Sequence, residues 1–146
     1  MKKYYLITLI GIIIDRVVKI LVENFISNDI VLIKNFFYLT FTKNDGAAFS
    51  ILGGARFFFI AVSIIVLILL FLYIRKTNTK NIGIYMLIGG IVGNLIDRLF
   101  FGYVIDYLGF ILFGKYMPIF NFADILIVIG TFIILIGSEK NEIKSN

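Results

Sequence analysis

Two carboxylates, Asp106 and Asp124, are the residues of this sequence best suited to catalysis. Each lies within or beside a long apolar stretch, and neither has a Lys or Arg within one helical turn. An unpaired carboxylate in such surroundings costs free energy unless it is protonated or takes part in chemistry. When two carboxylates share a site of low dielectric, one keeps its proton while the other remains a base. Such a pair suits hydrolysis, with one Asp taking a proton from water and the other polarising the scissile carbonyl.

The residue types that are missing exclude several other chemistries. The sequence has no His and no Cys, which excludes Ser-His-Asp triads, thiol nucleophiles, disulfides and zinc sites of Cys and His. A magnesium or calcium site built from carboxylates alone is an alternative, but it needs several oxygen ligands and usually a phosphate substrate. A dyad of Ser50 with Lys43 or Lys19 is another alternative whose geometry nothing in the sequence fixes. We expect neither a metal nor another cofactor.

The composition indicates that these residues lie in an integral membrane protein. Of the 146 residues, 60% are apolar and only 16% are charged, whereas a soluble domain is about half apolar and about a quarter charged. A helix needs about 20 residues to cross the hydrocarbon core of a bilayer. Within one domain, 1–146, the sequence predicts four spans, at about 4–22, 57–74, 82–101 and 118–137. Pro118, the only proline, is expected in the first turn of the fourth helix.

The distribution of Lys and Arg predicts the orientation of these spans. Segments 1–3, 75–81 and 138–146 are short but hold seven Lys or Arg residues, whereas the longer segments 23–56 and 102–117 hold four. The positive-inside rule therefore predicts that both termini are cytoplasmic in a bacterial inner membrane. Topology also accounts for the net charge of +5, so no nucleic-acid partner is expected.

The outer segments are expected to contain more than linkers. The runs Ile30–Ile33 and Phe36–Phe41 are prone to form β-strands, and Lys34-Asn35 between them is consistent with a short hairpin. Asn44-Asp45-Gly46 is a turn signal. Ala47–Leu52 is expected to form a short amphipathic turn of helix at the outer membrane surface, because it is apolar but too short to span.

Polar residues of three predicted spans converge on one layer near the outer surface. They occur at helical spacing, as Asp15 and Lys19, then Asn94, Asp97 and Arg98, then Asn121 and Asp124. Residues three or four apart share one helical face. We expect Asp15 to pair with Lys19 and Asp97 with Arg98, which would brace the helices. Arg98 is also placed to meet a carbonyl or carboxylate, and Asn94 and Asn121 to position the substrate or the aspartates.

Five motifs of the sequence resemble those of lipoprotein signal peptidase, the type II signal peptidase family of bacteria. They occur in the family's order and extend from the first predicted span to the fourth: DRVVK (Asp15–Lys19), NDGAAFS (Asn44–Ser50), GNLIDR (Gly93–Arg98), VIDY (Val104–Tyr107) and FNFAD (Phe120–Asp124). Any one of these motifs alone would be weak, whereas five together are highly specific. The departures are small, since Phe49 stands where the family often has Trp, and Tyr107 where it often has Phe.

The resemblance implies an all-α integral membrane peptidase of four transmembrane helices, with a small extracytoplasmic β-cradle and a short amphipathic half-helix. It implies prolipoprotein substrates whose lipobox cysteine carries diacylglycerol, held beside membrane lipid and cleaved just before that cysteine. The family's catalytic pair falls on Asp106 and Asp124, although which of them is the base stays open. The other polar motif positions of the family fall on Asp15, Lys19, Asn44, Gly46, Asn94, Asp97, Arg98 and Asn121.

Two other classes of function compete with a peptidase. Carboxylates within a membrane also serve ion relays in transporters and proton channels. A relay needs polar residues distributed across the span, whereas the second predicted span and the inner halves of the third and fourth are apolar. In a subunit without catalytic activity, the unpaired Asp106 and Asp124 would have no purpose.

Overall fold

The computed structural model describes residues 2–46 and 54–145, with the side chains of the last helix described as far as residue 137. The predicted turn of helix at 47–52 lies outside the described residues. In chain order the elements are α1 (Lys2–Phe25), β1 (Ile30–Ile33), β2 (Phe37–Asn44), α2 (Arg56–Thr77), α3 (Ile82–Phe100), β3 (Val104–Leu112), β4 (Lys115–Tyr116) and α4 (Phe122–Ser145).

Helix α3 lies at the centre of the helices and packs most extensively against α4, then against α1 and α2. Glycines allow its close approach to α4. A Cβ atom at Gly83 would lie 2.5 Å from the carbonyl oxygen of Gly130, and one at Gly130 would lie 2.6 Å from that of Gly83. At Gly93 a Cβ would lie 2.7 Å from a carboxylate oxygen of Asp15, so this glycine leaves room for a buried charge on α1. Glycines at these positions therefore let α3 pack closely against α4 and α1.

The surfaces of the helices fit a membrane environment. Among the described residues, α2 and α3 are long and apolar enough to cross a membrane, with mean hydropathies of 3.2 and 1.4 over the most apolar window of each. Helix α2 buries only Ile74, so most of its apolar surface faces outward. The apolar part of α4, Phe122–Gly137, is shorter. Helices therefore occupy all four predicted spans. Among the described residues, two of these helices, α2 and α3, have the length and the hydropathy of a membrane span.

The β structure is more extensive than the sequence predicted. Four antiparallel strands form one sheet in the order β1-β2-β3-β4, although α2 and α3 separate β2 from β3 in the chain. The predicted β1 and β2 are confirmed, with Asn35 in the left-handed region (φ 59°) in the turn between them, a conformation that Asn tolerates. Strands β3 and β4 were not predicted, and β3 carries Asp106.

Helix α4 begins later than predicted. Pro118 does not lie in its first turn, because the segment before the helix pairs with β3. The backbone N–H of Met117 donates to the carbonyl of Phe110, and Phe120 both donates to and accepts from Leu108. This pairing keeps the segment extended as far as Phe120, and α4 starts at Phe122.

Candidate active site

Asp106 and Asp124 come from different elements and face one cavity of about 250 Å³. Asp106 lies on β3, and Asp124 lies in the first turn of α4. The pairing of Phe120 with Leu108 folds the chain back on itself and brings the start of α4 against β3. The other residues that line the cavity are Asn44, Gly46, Asn94, Arg98, Val104, Pro118, Ile119 and Phe120. The cavity is therefore polar beside the aspartates and apolar beside the 118–120 segment.

Asp106 is only 3% exposed, and its carboxylate accepts two hydrogen bonds from side-chain amides. Nδ2 of Asn44 donates to Oδ2 at 2.7 Å, and Nδ2 of Asn121 donates to Oδ1 at 2.7 Å. Burial raises the pKa of Asp106 to about 6, and the neighbouring Asp124 also raises it, whereas the two amides and Lys19 oppose the rise. This rise brings the pKa of Asp106 closer to the pH at which proton transfer in catalysis is most effective.

Asp124 is held by the N-terminus of α4. Its Oδ2 accepts the backbone N–H of Asn121 at 3.1 Å, while Oδ1 of Asn121 accepts the backbone N–H of Asp124 at 3.0 Å. This reciprocal pair is a capping box, and the positive end of the helix dipole favours a negative charge there. The other oxygen, Oδ1 of Asp124, accepts from Nδ2 of Asn94 at 2.7 Å. Both carboxylates are therefore surrounded by donors.

A buried ion cluster lies between α1 and α3 beneath the aspartates. Nζ of Lys19 lies 2.8 Å from Oδ2 of Asp15, 2.9 Å from Oδ2 of Asp97 and 3.0 Å from Oδ1 of Asn94. Nη1 of Arg16 lies 2.8 Å from Oδ1 of Asp97. Buried charges are tolerated only when they are paired, and these four form a balanced group of two acids and two bases. The predicted pair of Asp15 with Lys19 is confirmed.

The predicted pairing of Asp97 with Arg98 is wrong. Consecutive residues on a helix point about 100° apart, so Asp97 faces α1 while Arg98 faces the loop that follows β2. Nη2 of Arg98 donates to the carbonyl oxygen of Gly46 at 3.2 Å, a backbone contact of the predicted kind. Oδ2 of Asp97 also accepts the backbone N–H of Ile105 at 3.3 Å. The two residues therefore anchor different parts of the site.

Asn44 and Gly46 form the tight turn that closes this side of the cavity. The backbone N–H of Gly46 donates to Oδ1 of Asn44 at 3.0 Å. This contact leaves the Nδ2 group of Asn44 to face Asp106, because an amide carries its donor and its acceptor at opposite ends. The NDG turn signal is thus also a device that orients a donor toward the carboxylate.

All ten residues predicted for the site are brought to one region. Seven of them face or directly contact the aspartate pair or its cavity: Asp106, Asp124, Asn44, Gly46, Asn94, Arg98 and Asn121. Asp15, Lys19 and Asp97 lie beneath them in the ion cluster. Sequence reasoning did not assign a role to Arg16, although a charged residue within a predicted span was a signal for one. It also missed a contact of Tyr107, whose hydroxyl accepts the backbone N–H of Phe122 at 3.2 Å.

Known proteins resemble this chain in sequence and in fold. Residues 7–139 match the family model of signal peptidase II (SPase II). The chain is 42% identical over 143 residues to a lipoprotein signal peptidase of Halothermothrix orenii, covering 94% of this chain and 96% of that protein. It is 41% identical over 144 residues to a lipoprotein signal peptidase of Clostridium tetani, covering 94% and 92%.

Two solved structures have the same fold. A bacterial membrane enzyme determined by the in meso method at 2.3 Å resolution superposes with a TM-score of 0.89 at 33% identity, covering 100% of this chain and 93% of the other. A second bacterial membrane enzyme, determined by the same method at 1.9 Å, superposes with a TM-score of 0.83 at 34% identity, covering 94% and 92%.

Proposed function

The chain belongs to the signal peptidase II family, and we propose that Asp106 and Asp124 are the catalytic pair with which it cleaves signal peptides from bacterial prolipoproteins. The family makes it a bacterial membrane protease of the aspartic class. The proposal for the pair rests on one observation: two carboxylates from separate elements line the same cavity, and each accepts two hydrogen bonds that fix its orientation.

In the proposed reaction, a water molecule lies between the two carboxyl groups and the scissile carbonyl. The ionised Asp takes a proton from the water as its oxygen attacks the carbonyl carbon, and the protonated Asp donates a hydrogen bond to the carbonyl oxygen. The tetrahedral intermediate then collapses as the nitrogen of the leaving chain receives a proton. Asn44, Asn94 and Asn121 keep the carboxylates in place throughout, because each donates to one of them.

The finer substrate specificity is also a proposal. The substrate is a prolipoprotein whose cysteine carries diacylglycerol, and the cut falls just before that cysteine. An open apolar cavity of about 350 Å³ lies along α4 and is lined by Phe120, Asp124, Ile125, Val128 and Ile129. Because Asp124 lines both this cavity and the polar one, an acyl chain in the first would hold the peptide bond beside the pair.

We propose four membrane spans, with both termini in the cytoplasm and the site near the outer leaflet. Helix α1 has 24 residues and is therefore about 36 Å long, enough to cross. Its Asp15 and Lys19 are buried against α3, while Leu9, Ile13 and Val17 are about half exposed. The outward face of α1 is therefore apolar in spite of its charged residues, which supports a lipid-facing position.

Cleavage of a defined substrate tests this function. The purified protein in lipid vesicles is incubated with a diacylglyceryl-modified prolipoprotein, and mass spectrometry determines the mass of both products. We expect a signal peptide that ends just before the modified cysteine and a mature chain that begins with it. A cut at any other bond would refute the proposed specificity, and an uncut substrate would refute the function.

A further inference from the structure

Lys19 makes one contact that the balance of charges does not require. Its ammonium group has three hydrogens and no acceptor, and three oxygens surround it: those of Asp15, Asp97 and Asn94. With Arg16, the ion cluster is neutral without Asn94. The third contact therefore connects a fully buried cation to an amide of the active site.

This contact fixes which end of the Asn94 amide faces the catalytic pair. Because an ammonium group can only donate, the amide oxygen of Asn94 must face Lys19, and its Nδ2 group is left to donate to Asp124. The amide of Asn121 is fixed in the same way. Its oxygen accepts the backbone N–H of Asp124, so its Nδ2 group donates to Asp106 at 2.7 Å and to the Asn94 oxygen at 3.2 Å.

The two carboxylates consequently differ in how well each holds a negative charge. Asp124 lies at the N-terminus of a 24-residue helix, accepts a backbone N–H there, and is connected to the Lys19 cation through a single amide. Asp106 lies on a strand, and its two donors are neutral side-chain amides. Burial raises the pKa of Asp106, which also favours its protonated form. A proton shared by the pair is therefore more stable on Asp106.

Resting on the catalytic pair proposed above, we propose that Lys19 is a positioning residue which, through Asn94, keeps Asp124 ionised and the proton of the pair on Asp106. Asp124 is then the base. It takes a proton as the water O–H bond breaks and the C–O bond forms, and Asp106 donates its hydrogen bond to the developing oxyanion. When the C–N bond breaks, Asp124 returns the proton to the leaving nitrogen.

The other charged groups near Asp124 do not reverse this preference. Asp124 interacts with Asp106 and Tyr107 on β3 and with Arg98 on α3. On α1, Asp15 acts on Tyr107. Lys19 also lowers the pKa of Asp106, but this is the weakest of the effects on that carboxyl, and burial, the strongest, outweighs it. Arg98 attracts both carboxylates, so it changes little the difference between them in how well each holds a negative charge. Asp15 is paired with Lys19. Burial raises the pKa of Tyr107, which keeps its hydroxyl neutral.

The pH dependence of cleavage tests the role of Lys19. We would measure kcat and KM between pH 4 and pH 9 for Lys19→Met, for the double variant Asp15→Asn/Lys19→Met, and for Arg16→Met, using a lipid-modified prolipoprotein in vesicles. The double variant removes one charge of each sign and leaves the Asp97–Arg16 pair, so no buried carboxylate loses its partner. It therefore provides a test if the single variant does not fold. Arg16→Met is the matched control, because Arg16 also pairs with Asp97 but makes no contact with Asn94.

We expect the acid limb of the profile to move upward by up to about one pH unit in both Lys19 variants, because the charge-assisted hydrogen bond that is lost acts on Asp124 only through Asn94. Their kcat should fall while KM stays unchanged, and Arg16→Met should leave the acid limb in place. If the Lys19 variants lose activity or thermal stability while the acid limb stays in place, Lys19 is a structural brace and the inference is wrong. Near-normal turnover in Asp106→Asn or Asp124→Asn would instead refute the catalytic pair itself.

Discussion

The Asn44→Ser variant tests the environment of Asp106 most sharply. Nδ2 of Asn44 donates to Oδ2 of Asp106 at 2.7 Å and so stabilises the ionised carboxylate. Ser is too short to reach Asp106, but its hydroxyl can still accept the N–H of Gly46 and keep the turn. A hydrogen bond to a charged group contributes about 1.5–3 kcal/mol, and about 1.4 kcal/mol corresponds to one pH unit. The variant should therefore raise the pKa of Asp106 further, by about one to two pH units.

The measurement is kcat/KM for a lipid-modified prolipoprotein as a function of pH. In the wild type the alkaline limb reports loss of the proton of the pair, near the Asp106 pKa of about 6. The limb should move upward in Asn44→Ser, since the proton is then lost at higher pH. Asn24→Ser is the matched control, because the exposed Asn24 amide donates only to Ile20 of its own helix among the described contacts. An alkaline limb that stays in place, or moves downward, would show that Asp106 does not carry this proton.

Three further predictions concern stability, topology and substrate. The raised pKa of Asp106 means that the folded protein binds the proton of this carboxyl more tightly than the unfolded chain does, so the stability of the wild type falls as pH rises from about 4 to about 6. The melting temperature of Asp106→Asn relative to that of the wild type should therefore increase over this window. A difference in melting temperature that stays constant with pH would contradict this prediction. Cysteines introduced at Asn35 and at Thr77 should react with an impermeant reagent from opposite sides, and labelling of Thr77 in intact cells would overturn the proposed orientation. A prolipoprotein without diacylglycerol should be cleaved far more slowly, since binding of the acyl chains positions the scissile bond; equal rates would show that lipid plays no part in presenting the substrate.

The helices and the identity of the site residues could be predicted from local patterns. Long apolar stretches locate helices because the period and length of apolar residues decide helix burial and membrane insertion. The unpaired carboxylates Asp106 and Asp124 stood out because no cation lies near either along the chain. Strands β1 and β2 followed from β-branched and aromatic runs separated by a turn. Each of these signals lies within a short window of sequence.

The features that were missed depend on distant parts of the chain. Val104–Leu112 is mostly buried and therefore lacks the alternation that reveals a half-buried strand. Its partner β2 lies far away in sequence, so no local hairpin signal was present. The partners of Asp97 are on α1, and only the packing of α1 on α3 decides that it binds Arg16 and Lys19. Likewise, Pro118 stays outside α4 because Phe120 pairs with β3.

The most direct test of the account is the turnover of Asp106→Asn and Asp124→Asn in vesicles with a lipid-modified prolipoprotein. Asp29→Asn is the control, since it makes the same chemical change at an exposed loop residue. Thermal unfolding shows whether each variant is folded. The account predicts that both site variants are folded but lose cleavage by at least about a thousandfold, the order expected when an acid or a base is removed, while Asp29→Asn cleaves normally. Near-normal cleavage by either folded site variant would contradict the assignment of Asp106 and Asp124 as the catalytic pair.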